Sequence, residues 1–265
     1  MVVQVMRVSV ALSPAEFPET PLSGRAALVV DVLRATTAAV AACEAGCRRL
    51  VPAPDAAAAL ALRDGPDTLL AGEQGGEAIV GFHLGNSPAE FTRARVAGRT
   101  VVLTTTNGTA AMLAAAGAAA VGLAALTNVT AAARWALLQG RDVSILCAGD
   151  NGAFSLEDAV CAGMLVARLA DGAPGAALSE GAMAALGLGR YYATRLGRIG
   201  EDSPWARKLR RLGRAADVAA CLRADVSLVV PALSAGGFVA HRPDATEVSA
   251  VVPARPGARG AESDA

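Results

Sequence analysis

The sequence predicts an α/β protein, a sheet covered by helices, and three observations carry that expectation. Short apolar runs alternate with helical patterns along most of the chain. Several of these runs end in a Gly-rich polar turn that opens into an Ala-rich segment, the pattern of a buried strand, a tight turn and a helix start. The chain has 265 residues and is 53% hydrophobic but only 3% aromatic, so its core is built from Ala, Val and Leu.

Taken in order, Ala27 to Val32 reads as a strand and Ala35 to Ala45 as a helix that Gly46 ends. Leu50-Val51 is a short strand, followed by a helix over Asp55 to Arg63. Thr68 to Ala71 and Ala78-Ile79-Val80 are strands around a Gly-rich turn. Ser87-Pro88-Ala89-Glu90 has the form of a capping box with Pro at the first helical position. Thr100 to Leu103 and Val143 to Cys147 are strands; between them lie helices from Gly108 and from Asn128, with a strand expected at Ala120 to Leu123. Ser155 opens another helix, and residues 174–224 read as helical. Val226 to Val230 returns as a strand, and Phe238 to His241 with Glu247 to Val252 suggest a final hairpin. One domain over residues 1–252 is expected, two lobes being left open, with residues 253–265 as a flexible C-terminal tail.

Composition limits the function classes. Net charge is zero, and no basic stripe points to nucleic acid. The N-terminal Met1-Val2-Val3-Gln4-Val5 shows no charged leader, and the stretch Ala110 to Leu126 is interrupted by Gly117 and Gly122 and only weakly hydrophobic. A cytoplasmic protein without a membrane partner is expected, a homodimer being left open. Five Cys, an odd number, fit reduced thiols better than a disulfide framework.

Four polar clusters fall where strands meet helices, the place where open α/β sheets bind ligands. The first is Asp31 to Thr37, with Asp31 at a strand end and Arg34, Thr36 and Thr37 at a helix start. The second is Gly72-Glu73-Gln74-Gly75-Gly76 followed by Gly81 to Pro88, with Asn86 and Ser87 before a helix. The third is Thr104-Thr105-Thr106-Asn107-Gly108-Thr109, and the fourth runs from Cys147 through Ser155, Glu157 and Asp158. Each has a plain reading as a capped helix or a surface ion pair. Together they pair the carboxylates Asp31, Glu73, Glu157 and Asp158 with oxyanion donors: Arg34, Asn107, Thr109 and several helix starts. Carboxylates beside anion donors imply a bound cation, and Mg²⁺ prefers few carboxylates plus phosphate oxygens. Other motifs fail: Cys43 to Arg49 has thiol-phosphatase spacing, but Cys43 lies late in a helix, and no Walker loop, serine-hydrolase elbow or zinc spacing occurs.

Asp31-Val32-Leu33-Arg34-Ala35-Thr36-Thr37, Gly72-Glu73, Gly85 to Glu90, Thr104 to Thr109, and Cys147-Ala148-Gly149 through Phe154-Ser155-Leu156-Glu157-Asp158 to Cys161-Ala162-Gly163 occur in this order. In this the chain resembles the 2-phosphosulfolactate phosphatase family over roughly residues 3–235. The resemblance implies a three-layer α/β/α fold with a mostly parallel or mixed sheet. It implies a Mg²⁺-dependent hydrolase acting on a phosphate monoester of a three-carbon sulfonated acid, a step of coenzyme M synthesis in methanogens. Two positions depart from the family pattern: Gln74 stands where Arg is usual and His83 where Asp is usual. On this reading Asp31, Arg34, Glu73 and Asp158 are catalytic, and Asp31, Glu73, Glu157 and Asp158 are the metal-ligand candidates. Thr36, Thr37, Asn86, Ser87, Thr106, Asn107, Gly108, Thr109 and Ser155 contact the phosphorylated acid. The alternative is an inactive or diverged homologue that binds a phosphorylated or sulfonated small acid.

Overall fold

In the computed structural model, which describes residues 5–244, the apolar runs become strands and the Ala-rich runs helices. The strands are β1 (Arg7–Ala11), β2 (Ala26–Val30), β3 (Arg49–Pro52), β4 (Thr68–Gln74), β5 (Glu77–Ala78), β6 (Thr100–Thr104), β7 (Ala120–Ala124), β8 (Val143–Cys147), β9 (Ala177–Leu178), β10 (Val230–Ser234) and β11 (Gly237–His241). The helices are α1 (Ala35–Glu44), α2 (Ala56–Ala61), α3 (Arg93–Val96), α4 (Gly108–Ala114), α5 (Val129–Leu138), α6 (Leu156–Gly172), α7 (Glu180–Tyr192), α8 (Ile199–Asp202), α9 (Pro204–Arg211) and α10 (Ala215–Cys221).

The strands form a mixed sheet in the order β5-β4-β6-β3-β11-β10-β7-β2-β8-β1-β9. Two parallel blocks, β4-β6-β3 and β7-β2-β8-β1-β9, are joined by the antiparallel hairpin β10–β11. Each seam rests on one residue pair, Ala232 with Gly122 and Phe238 with Leu50, and both seams are antiparallel. The two blocks therefore run in opposite directions across the hairpin. In a flat sheet their C-terminal ends would lie at opposite edges.

The packing shows that the sheet is not flat. Successive side chains of a strand face opposite sides. Leu28 and Val30 of β2 join a core with Trp135, Leu165, Leu169 and Ala182 of α5, α6 and α7. Ala27 and Val29 join a second core with Ala35, Ala38 and Ala42 of α1 and Met112 of α4. That second core also takes in Leu69 of β4 and Val101 and Leu103 of β6. The far face of that block, Leu70 and Val102, packs on Ala59 of α2. The sheet thus curls round α1 and α4, which lie between the blocks. A helix in such a place is apolar all round, and eight of the ten residues of α1 are buried. At its end Gly46 (φ +87°) lets the Cys47 N–H reach the Ala42 carbonyl and the Gly46 N–H the Cys43 carbonyl, a Schellman closure.

Several sequence expectations shift. β2 stops at Val30, because the Asp31 N–H turns inward to Thr36 Oγ1 (3.0 Å). β1 joins β8 at the other side of the same block, an element not anticipated. β5 covers only Glu77–Ala78, and Val80 is 99% exposed. No capping box forms at Ser87: Pro88–Glu90 is a single 3₁₀ turn, the Ser87 hydroxyl donates to Asp217, and Glu90 accepts from the Gly85 N–H. Val226 and Ser227 donate to the Thr127 carbonyl rather than to a strand, so β10 begins at Val230. The hairpin partner of Gly237–His241 is β10; Glu247 to Val252 and the 253–265 tail lie outside the described residues. Residues 174–224 are helical only in pieces, α7 to α10, with β9 before them. All five Cys are buried free thiols. No helix among the described residues is long and apolar enough to cross a membrane.

Candidate active site

The turn after β2 is built by its own side chains. Asp31 Oδ1 accepts the Ala35 N–H at 2.9 Å. Thr36 Oγ1 lies 2.7 Å from the carbonyls of Asp31 and Ala124, and Thr37 Oγ1 donates to the Val32 carbonyl at 2.8 Å. These two threonines, expected at the substrate, are instead committed to backbone and hold the turn. Arg34, following a cis Leu33–Arg34 peptide, is buried and not a surface ion-pair residue. Its Nη1 pairs with Asp217 Oδ2 at 2.6 Å and its Nη2 donates to the Gly76 carbonyl at 3.0 Å.

The other three junctions meet this one. Glu73, at the end of β4, accepts the Gly76 N–H on Oε2 (2.6 Å) and the Thr106 N–H on Oε1 (2.8 Å), tying the glycine turn to the loop after β6. Thr105 and Thr109 clasp each other: each N–H donates to the other's hydroxyl, and Thr109 Oγ1 donates to the Thr105 carbonyl. Thr109, also expected at the substrate, is committed to that clasp. Thr106 Oγ1 accepts the Gly75 N–H, and Asn107 Oδ1 accepts the Asn151 N–H at 3.0 Å. Gly108 is required here, since a Cβ would lie 2.5 Å from Asp31 Oδ2 and overlap Ala35. Asp158 closes the ring, accepting the Val32 N–H (2.8 Å) on Oδ1 and the Gly149 N–H (3.0 Å) on Oδ2. The four clusters of the sequence are therefore bonded into one network.

Its electrostatics are those of crowded acids. Burial pushes the Asp31 carboxyl up to about 7, with Glu73 and Glu157 adding to the shift and the Ala35 N–H and Arg34 opposing it. Burial first, then Asp31 and Glu157, push Asp158 well above the carboxylate range against its two amide donors. Burial also raises Glu157, opposed by its own amide and by the hydroxyls of Ser203 and Ser155. Glu157 Oε2 and Asn86 Oδ1 are buried without a hydrogen-bond partner.

The four carboxylates do not form one ligand cage. Glu73 and Asp158 each have both oxygens on backbone amides, and no three His, Cys, Asp or Glu among the described residues gather as a metal site. Asp31 Oδ2 and Glu157 Oε2 are the oxygens left for a cation. A cleft of about 470 Å³ opens beside the Glu73–Thr106 contact, lined by Pro54 to Ala57, Glu73, Gln74, Ile79 and Thr104 to Thr106. It flanks the acid cluster rather than containing it, and no basic residue lines it. His83 is tied to the sheet, its Nδ1 accepting the Leu70 N–H at 2.9 Å. Sequence reasoning missed Asp217, which receives both Arg34 and Ser87. A lone Asp inside a short helix carries no signal of such a contact.

Comparison with known proteins places the chain among phosphatases by sequence. The family model described as 2-phosphosulpholactate phosphatase matches residues 11–236. A protein of Thermus thermophilus is 44% identical over 231 residues, 86% of this chain and 94% of its own length. One of Deinococcus radiodurans is 42% identical over 238 residues, 88% and 96%. One of Symbiobacterium thermophilum is 40% identical over 226 residues, 84% and 97%. Each of the three carries the name probable 2-phosphosulfolactate phosphatase.

Proposed function

This chain belongs to the 2-phosphosulfolactate phosphatase family, and from that premise we propose that it hydrolyses 2-phosphosulfolactate to sulfolactate and phosphate with Mg²⁺. The observation that supports this most is Asp31, a buried carboxylate raised to about 7 beside the start of α4. A general base works best when its pKa lies near the working pH. Asp31 takes the proton of the attacking water on Oδ2, its Oδ1 staying on the Ala35 N–H. The water oxygen bonds to phosphorus as the ester P–O bond breaks, and the leaving alkoxide takes up a proton from solvent. Arg34 and the opening N–H groups of α4, Asn107 and Gly108, receive the phosphoryl oxygens. Thr109 keeps its N–H for Thr105 and contributes none.

The donor set fits a hard divalent ion, since Mg²⁺ binds through one or two carboxylates plus substrate oxygens. The unpartnered Glu157 Oε2 would hold it, leaving Asp31 Oδ2 to the attacking water. Bound there, it would polarise the phosphoryl group and offset developing charge. Glu73 and Asp158 keep the surrounding loops in place.

Phosphate release from 2-phosphosulfolactate and a panel of other phosphorylated hydroxy acids tests this. Release that is lost in EDTA and restored by Mg²⁺ is expected; no release from any ester, or full turnover in EDTA, would refute it. The second reading is a diverged homologue that binds such an acid without turning it over, or prefers another. It draws on the cleft, whose wall carries Gln74 and no cation. In that case a less anionic ester is preferred, and Gln74→Arg moves preference towards the sulfonate.

A further inference from the structure

Asp217 lies 183 residues along the chain from Arg34, yet it is bonded to two groups of the site. Its Oδ2 accepts Arg34 Nη1 and its Oδ1 accepts the Ser87 hydroxyl, both at 2.6 Å. Arg34 Nη2 is held in turn by the Gly76 carbonyl. The carboxylate therefore ties the turn after β2 to the loop before Pro88, and Arg34 extends the tie to the glycine turn after β4. It cannot easily withdraw. Val218 and Cys221 of the same helix are fully buried in the core. On the preceding helix, Trp205 Nε1 donates to the Leu33 carbonyl at 2.7 Å.

We infer that Asp217 is the positioning residue of this site, fixing the plane of the Arg34 guanidinium so that its remaining donors meet the substrate's phosphoryl oxygens. The inference rests on the phosphatase reading above. A guanidinium has five N–H donors, and these bonds take two. Bonds on Nη1 and Nη2 from two fixed partners leave the planar fork one orientation. The carboxylate also offsets the charge of Arg34, so it sets orientation at the expense of attraction for anions.

That opposition separates a positioning role from a merely structural one. Asp217→Asn replaces the charge-assisted anchor of Arg34 by a weaker neutral one, while the Ser87 hydroxyl can turn to accept from the new amide. Its kcat is expected to fall at least tenfold, while its Kd for inorganic phosphate, read by calorimetry, stays level or tightens. In an Arg34→Ala background, Asp217→Asn is expected to change kcat/KM less than twofold, because a residue acting through Arg34 has nothing left to position. If Arg34→Ala does not fold, Arg34→Gln with and without Asp217→Asn gives the same comparison. Full, independent losses in both backgrounds would overturn the inference and leave the phosphatase reading standing. If the wild type turns over no ester, that reading fails, and the same cycle is scored on phosphate affinity. Coupling of the two substitutions there sustains the inference, and independence or absence of phosphate binding overturns it.

Discussion

Asp31 joins the two chemical demands of the site, since its proton affinity serves both turnover and folding. If it is the base, kcat/KM should rise with pH towards about 7, and Asp31→Asn should lose about 10²–10⁴-fold. The stability sign is opposite. Its folded value lies above the 3.8 of the free side chain, so the stability it confers is full below about pH 4 and lost as pH rises through 7. Glu157 and Asp158 shift the same way. Without divalent cation the melting temperature should therefore be several degrees lower at pH 8 than at pH 6, and Asp31→Asn should flatten that slope. A melting temperature that rises from pH 6 to 8 would contradict the assignment. The burial and mutual approach of Asp31, Glu73, Glu157, Asp158 and Arg34 follow from charges that stand at the ends of apolar runs. The bonds of the hydroxyls were not legible: a sequence shows where Thr36, Thr37 and Thr109 stand, not that a carbonyl or a neighbouring Thr already pairs with them.

At the level of elements, two glycines give contrasting tests. Gly108→Ala would push a methyl against Ala35 and Asp31 Oδ2. Overpacking costs about 1–3 kcal/mol, but activity should fall far more than stability, because the clash is with the base itself. Gly163 in α6 lies against the Ala185 carbonyl and Gly189 of α7, with no room for a Cβ. Gly163→Ala should lower the urea midpoint by a comparable amount and leave the kcat of the folded fraction unchanged. An equal ratio of activity to stability loss in the two variants would remove the distinction. The end of α1 was readable from Gly46, since its closure is local chemistry, and the starts of α4 and α6 fall after Asn107 and Ser155 although neither side chain caps its helix. Ser87 was not, because its hydroxyl answers to Asp217 across the fold.

For the whole molecule, the α/β class was legible from the alternation of runs, but the curl was not. It depends on two seams of one pair each, and neither leaves a periodic trace in the chain. Phe238 is the large side chain at one seam, 1% exposed and packed in the core around α1. Phe238→Ala should cost about 3–5 kcal/mol. It should also weaken phosphate binding, since Asp31 and Glu73 come from opposite blocks. Unchanged binding in a destabilised Phe238→Ala protein would show that each block holds its part of the site unaided.

The late place of the hairpin matters while the chain is being made. Synthesis delivers the N-terminal strands first, so β3 and β7 both leave the ribosome before the hairpin that will lie between them. Until Val230 to His241 follow, those two strands present open edges, which pair readily with other chains. A nascent chain stalled just short of β10 should be a chaperone client and an aggregation hazard, and the site should appear only once Val230 to His241 have emerged.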